Sequence, residues 1–290
     1  MRLGYIDYLN TYPLYWRMFA REALPPGVEV ARGKPAELNA LMRAGHLDLT
    51  PISAACLPDI QDQVYVLPDF CLAATGNVRS VLLVSRLPIE QLDGRKVGLS
   101  TASETSAVLL KYLLRQCYEV NPGFVPHPPS PTLQDVDAAL VIGNDALQVG
   151  EEEYPYTYDL GRLWQERTGL PVVFAVFVVR RDFADAHPEK ARGIEDQFRA
   201  SLAEIRDNRQ RFLADAESAY PGVAADPVDY FRVLKYDFSD AFKTSLDTYF
   251  ELVGKAGLLK PVPKIPFWPG TSSGHADSGL WEQVFDSCEM

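Results

Sequence analysis

Two long apolar runs constrain this chain more than any other feature. "QVYVLPDFCLAATGNVRSVLLVSR" covers residues 63–86 and "PVVFAVFVVRR" covers 171–181. Neither holds an unbroken apolar stretch of about 20 residues, the length a membrane helix needs. Their β-branched and aromatic content reads instead as long strands buried in a sheet. The residues between them carry a strand and helix pattern of their own. The chain therefore leaves one α/β body through the first run and returns to it through the second.

The body it leaves is written in the first 53 residues. "LGYI" is a strand, an Asn-Thr turn follows, and a helix is expected from about Tyr12 to Ala23, where "ALPPG" stops it. "VEVARG" alternates as a half-buried strand does. Pro35 opens a second helix with Leu38, Leu41 and Met42 on one face and Gly45 at its left-handed end, and "LTPIS" is a third strand. The order β-α-β-α-β implies parallel strands. The middle segment echoes it. A strand in "RKVGLS" precedes the helix "TASETSAVLLKYLLRQCYEV", with Leu109, Leu110, Leu113 and Leu114 as its stripe, and "DVDAALVIGNDAL" gives a buried strand and a helical turn. After residue 181 the pattern is helical, with Ile194, Phe198, Leu202 and Ile205 at helical spacing, and the tail from Lys260 reads as irregular. The expectation is an α/β protein of two lobes, residues 1–85 with 175–290 and residues 86–174, joined by two hinge-crossing strands. A cleft lies between the lobes, as in solute-binding proteins, and such clefts take small ligands.

Composition narrows the ligand. The 290 residues carry a formal net charge of -11 and no long Lys/Arg block, which argues against nucleic acid. Cys56, Cys71, Cys117 and Cys288 form no CxxC pair and read as free thiols in the cytoplasm. His46, His127, His187 and His275 stand alone, so no metal is expected, and no segment predicts a membrane anchor.

Polar clusters fall at strand ends in both halves: Asn10-Thr11, Ser53, "STASETS" (100–106) and Asn144-Asp145. Five hydroxyls in seven residues exceed what one helix cap uses, even granting a capping box between Thr101 and Glu104. With no Lys or Arg in that stretch, they suit a carboxylate held by neutral donors at a helix N-terminus. Asn10-Thr11, Ser53 and Asp145 can equally be plain caps. Ser80, alone inside the first apolar run, needs a partner if buried. No GxSxG elbow, GxGxxG or P-loop is present, and Cys56 has no histidine beside it in sequence. On the residues alone a binder fits slightly better than an enzyme.

Taken in order from residue 3 to about 180, "YLNTYPLYW", "GHLDLTPISAA", "GNVRSVLLVSRLP", "LSTASETSAVLLKYLL", "LVIGNDAL" and "YDLGRLWQERTGLPVVFAVFVVR" resemble the chorismate dehydratase family of the futalosine route to menaquinone. That resemblance implies a type II periplasmic-binding-protein-like fold used in the cytoplasm as a hydro-lyase. It implies loss of water from chorismate to give 3-[(1-carboxyvinyl)oxy]benzoate, with no metal or organic cofactor. The substrate's own enolpyruvyl carboxylate would take the ring proton. Carried over by motif, Asn10 and Ser80 are the catalytic candidates and Ser53, Thr105 and Ser106 the substrate-binding ones. Thr11, Ser103, Asn144 and Asp145 join the substrate-binding set from their places in the polar clusters at strand ends, the last two as second-tier candidates. Thr11 is also the expected helix cap. Two alternatives remain: a non-catalytic cytoplasmic binding protein or sensor for a small aromatic or cyclic carboxylate, and another futalosine-pathway enzyme of the same fold.

Overall fold

Arg2–Ile6 forms β1, which runs parallel to β2 (Glu29–Gly33) from Arg2 opposite Glu29 to Ile6 opposite Gly33. The helix Tyr12–Ala20 joins them and ends three residues before the expected stop, where Glu22 enters the left-handed region at φ 50°. The helix Pro35–Arg43 follows, Gly45 takes the left-handed position at φ 71°, and β3 (Leu49–Ser53) pairs parallel with β1. The computed structural model describes residues 1–150, 152–224, 226–262, 264–270, 281, 284 and 285. Cys288, His275 and much of the tail expected to be irregular lie outside the described residues.

β4 (Val64–Ala74) is the strand by which the chain leaves. A second sheet then forms from β5 (Val81–Ser85), β6 (Lys96–Ser100), β7 (Gly123–His127), β8 (Ala138–Ile142) and β9 (Tyr156–Asp159), in the order β7-β6-β8-β5-β9. β10 (Val172–Arg180) brings the chain back, pairing antiparallel with β3 and β4. With β11 (Leu234–Asp237) the first sheet reads β11-β4-β10-β3-β1-β2. The architecture is the two-lobed, type II periplasmic-binding-protein-like fold.

Sheet membership moves the expected boundaries. β5 belongs to the second sheet although it lies before residue 86, and Val172 of β10 pairs with Ala74 in the first. The first apolar run is not one strand: Gly76 at φ 77° and Arg79 at φ 64° turn the backbone out of the extended region between β4 and β5. The outward crossing is thus the bend 75–80, and the return crossing is the helix Leu160–Thr168 with Gly169 as its left-handed cap.

The first sheet is backed by the helix Pro188–Asp207, whose Phe198 is fully buried among Tyr15, Phe70 and Phe177 at ring separations of 5.0–5.5 Å. Leu109, Leu110, Leu113 and Leu114 are likewise fully buried, where the helix Glu104–Tyr112 runs on into a wider π turn, Leu113–Cys117. No helix among the described residues is long and apolar enough to cross a membrane.

Candidate functional site: a neutral cleft between the sheets

A narrow cavity of about 50 Å³ separates the strand ends of the two sheets. From the first sheet's side Tyr8, Asn10 and Ser53 face it, from the crossing bend Ser80, and from the second sheet's side Ser103 and Ser106. Apolar side chains such as Ile6, Leu72, Ile142 and Phe174 fill the remaining wall. None of the lining residues is an acid, a histidine, a lysine or an arginine. Tyr8 is the one lining residue with an ionisable side chain, and burial, reinforced by Asp145 and Glu37, raises its pKa well above the ordinary phenol value. It is therefore a neutral hydroxyl at any working pH.

Three lining polar atoms are buried without a hydrogen-bond partner: Tyr8 Oη, Asn10 Oδ1 and Ser53 Oγ. A buried polar group left unmatched costs about 1–3 kcal/mol, so folded chains seldom keep one without a use for it. Three on one small cavity describe a surface complementary to a polar ligand.

The backbone around these groups is fastened. Asn10 sits in the turn after β1, and Tyr236 of β11 donates its hydroxyl to the Asn10 carbonyl at 2.7 Å. Asn39, fully buried on the helix Pro35–Arg43, accepts the Ser53 N–H at 3.0 Å. Ser80 is 2% exposed; its hydroxyl makes a long 3.4 Å contact to the Val78 carbonyl and hydrogen-bonds the buried Tyr230. Ser103 is the N-cap of the helix Glu104–Tyr112, accepting from Ser106 N at 3.4 Å, with the two serine hydroxyls 3.1 Å apart. The positive end of that nine-residue helix thus opens on the cleft.

Other expected residues lie elsewhere. The Thr101–Glu104 capping box does not form, because Ser103 takes the cap. Glu104 instead turns to the other sheet's helix, meeting Arg43 at 2.6 and 2.7 Å and Asn39 at 3.0 Å. Thr11 is fully buried and makes no helix-cap bond; its hydroxyl donates to the Ile6 and Tyr8 carbonyls and closes the turn that presents Asn10. Thr105 is buried behind the cleft, donating to Phe174 O at 2.8 Å and accepting from Ala55 N at 3.1 Å. Asn144 starts the helical turn after β8 and accepts the Leu9 N–H at 2.9 Å, a bond from one half of the protein to the other. Asp145 is half-buried beside it and reaches Tyr8 only as a charge. Trp164 is a buried core residue donating to Pro171 O at 2.9 Å.

Cys56 does not line the cavity, and burial pushes its thiol up to about 12, with the nearby charges of Glu104 and Asp59 adding to the shift against Arg43, which disfavours the thiolate a nucleophile needs. Tyr8, Asn39, Tyr230 and Tyr236 escaped the sequence reading. The quoted "YLNT" motif contains Tyr8, but an aromatic next to a strand reads as core until its hydroxyl is seen unpartnered. Among the described residues no group of three His, Cys, Asp or Glu side chains is placed to hold a metal ion.

Solved structures with this frame include a protein of Archaeoglobus fulgidus (TM-score 0.70, 18% identity, 89% of this chain and 98% of that one). Another is the periplasmic aliphatic sulphonate-binding protein of Escherichia coli (TM-score 0.66, 16% identity, 94% of each chain). Among characterised relatives, the chorismate dehydratase of Thermus thermophilus is 31% identical over 276 residues, 87% of this chain and 94% of that protein. The 1,4-dihydroxy-6-naphtoate synthase of the same organism is 27% identical over 271 residues, 91% and 97%. Residues 1–255, which contain both sheets and every residue of the cleft, match the model of the menaquinone biosynthesis family, and the chain belongs to that family.

Proposed function

We propose that this chain is a hydro-lyase, a chorismate dehydratase working in the cytoplasm. The observation that carries the reading is the chemistry of the cleft: every polar group facing it is neutral, three are unsatisfied, and none is a base. A reaction in which the protein abstracts a proton needs a titratable group within reach of the reacting atom. A reaction in which the substrate supplies its own base does not.

In chorismate the enolpyruvyl carboxylate can take the proton from the ring carbon that bears the ether. The C–H electron pair becomes the new ring double bond, and the neighbouring C–O bond breaks. The hydroxyl leaves with a proton as water, and the aromatic ring of 3-[(1-carboxyvinyl)oxy]benzoate forms. What remains for the protein is to fix the reactive conformer and meet developing charge with preset dipoles. Ser103 and Ser106, at the helix terminus, together with Ser53 at the end of β3, suit the ring carboxylate. Asn10 and Ser80 suit the reacting edge, where the amide oxygen of Asn10 accepts from the hydroxyl or the protonated carboxyl, and the Ser80 hydroxyl donates. The Tyr8 hydroxyl is a further donor to a carboxylate.

The cavity is too small for a ring with two carboxylates, so the two bodies, about 1–74 with 172–285 and 81–159, part to admit substrate and close on it. The dehydratase of Thermus thermophilus supports this reading at 31% identity. The naphtoate synthase relative supports a second one. Purified protein incubated with chorismate and followed by chromatography separates them from each other and from a sensor. Formation of the carboxyvinyloxybenzoate is the expected result. Tight binding of chorismate without product would leave a sensor, and neither binding nor turnover would leave the naphtoate synthase.

A further inference from the structure

Five hydrogen bonds converge on one carboxylate at the hinge. Asp159, the last residue of β9, accepts Val78 N on both oxygens at 3.1 and 3.0 Å and Arg79 N on Oδ2 at 2.6 Å. Its Oδ1 also accepts Gly161 N at 2.9 Å and Arg162 N at 3.2 Å, which makes it the N-cap of the return helix Leu160–Thr168. One side chain therefore ties the outward crossing to the return crossing. The two segments are in close contact there: a Cβ on Gly161 would lie 2.4 Å from the Gly76 carbonyl oxygen.

The amides it holds belong to the two residues before Ser80. Arg79 is in the left-handed region at φ 64°, a conformation that a residue with a side chain leaves unless its surroundings over-determine it. Asp159 grips its N–H, and an ion pair to Asp229 grips its guanidinium. A capping role needs only the bonds to Gly161 and Arg162, so the bonds to Val78 and Arg79 call for another account. We infer that Asp159 is a positioning residue for Ser80: it holds the 78–79 backbone in the bend that turns the Ser80 hydroxyl into the cleft. This rests on the functional reading above, in which Ser80 meets the reacting edge.

The test is Asp159→Ser, which keeps a competent helix N-cap but is too short to reach the 78–79 amides. The expected result is a kcat lowered about ten-fold or more with KM changed by less than about three-fold. In a Ser80→Ala background the same change should cost less than about two-fold, because its effect runs through Ser80. Backbone hydrogen exchange at Val78 and Arg79 should accelerate, while the amides of β8 keep their protection. An unchanged kcat, full additivity with Ser80→Ala, or unchanged exchange at Val78 and Arg79 would overturn the assignment. If Asp159→Ser fails to fold, Asp159→Asn keeps the size and loses one acceptor oxygen, and the same criteria apply. Should the wild-type protein not turn chorismate over, the functional reading fails, and the exchange measurement still decides the role of Asp159.

Discussion

The hydroxyl of Tyr236 and the backbone carbonyl of Asn10 are 2.7 Å apart, joining the last strand of the first sheet to the turn after its second-innermost one. Tyr236 is fully buried, and burial raises its pKa well above the ordinary phenol value, so it remains a donor. Tyr236→Phe removes that donor and leaves a buried carbonyl short of a partner, at about 1–2 kcal/mol in stability. Because the freed turn carries Asn10, kcat should fall about ten-fold while KM stays within about three-fold, measured by steady-state turnover of chorismate.

The cleft's unsatisfied atoms predict opposite signs for stability and activity. Ser53 is 1% exposed with its hydroxyl unpaired, so Ser53→Ala should raise stability by about 1 kcal/mol, read as a higher denaturation midpoint. The same change should weaken substrate binding, seen in KM. Asn10→Ala and Ser80→Ala should lower kcat by about a hundred-fold or more, as deletion of a preset dipole does, with the fold retained. A destabilised Ser53→Ala protein would mean that the hydroxyl has a structural partner in solution.

The absence of a base among the cleft residues predicts a flat pH profile. Tyr8 is shifted upward by burial, so it stays protonated below its ordinary value near 10 and does not titrate as pH rises through the neutral range. Cys56, pushed up to about 12, likewise stays a thiol. From about pH 6 to about pH 9, kcat should change by less than about two-fold. An inflection near the histidine range would put a protein base in the reaction and sink substrate assistance.

The sequence made the frame readable because the frame depends on period and punctuation. β1, β2 and β3 and their two helices follow from alternation, helical spacing and the Pro35 and Gly45 signals. The cleft was half readable. Asn10, Ser53, Ser80, Ser103 and Ser106 stand at strand or helix ends, where chain direction alone aims them between the sheets. Thr105 and Thr11 look the same on paper, but one residue of helical rotation or turn geometry carries each hydroxyl to a buried carbonyl. The bend at 75–80 was hidden because Val78 and Ser80 fit a strand, and the turn rests on Gly76 and on Arg79, whose side chain gives no sign of a left-handed backbone. Glu104 was hidden because its partners Arg43 and Asn39 lie some sixty residues earlier.

That Glu104 cluster predicts a role in closure. Arg43 grips both Glu104 oxygens, and Asn39 adds a third bond while its own oxygen holds Ser53 N. The three bonds to Glu104 run between the two bodies proposed to part for substrate, whereas the Asn39–Ser53 bond stays within the first. Glu104→Gln keeps the shape and removes the charge, so closure weakens without a cavity. The expected outcome is a KM raised about five- to twenty-fold, corresponding to about 1–2 kcal/mol, with kcat at saturation changed little. The wild-type KM should rise with salt and that of Glu104→Gln should not, since the pair is about one-third exposed on each side and open to screening.

Gly143 gives the most demanding test of closure. It follows β8 at φ 66°, and a Cβ there would lie 2.6–2.8 Å from the ring of Tyr8 on the opposite body. Gly143→Ala carries two separable costs. The backbone there, at φ 66° and ψ -139°, is a conformation essentially confined to glycine and alone costs about 1–3 kcal/mol, which is paid in the open and closed forms alike. The collision with Tyr8 arises only when the bodies meet, and it also displaces the Asn144 oxygen that accepts Leu9 N at 2.9 Å. The variant should therefore melt only a few degrees below wild type yet lose more than about a hundred-fold in kcat/KM, with small-angle scattering in the presence of chorismate reporting the open form. Tyr8→Ala in the same chain should restore the compact scattering profile but not the activity, because it frees the space and deletes the hydroxyl that faces the substrate. If Gly143→Ala closes normally on chorismate, contact between Tyr8 and Gly143 is not part of the working state.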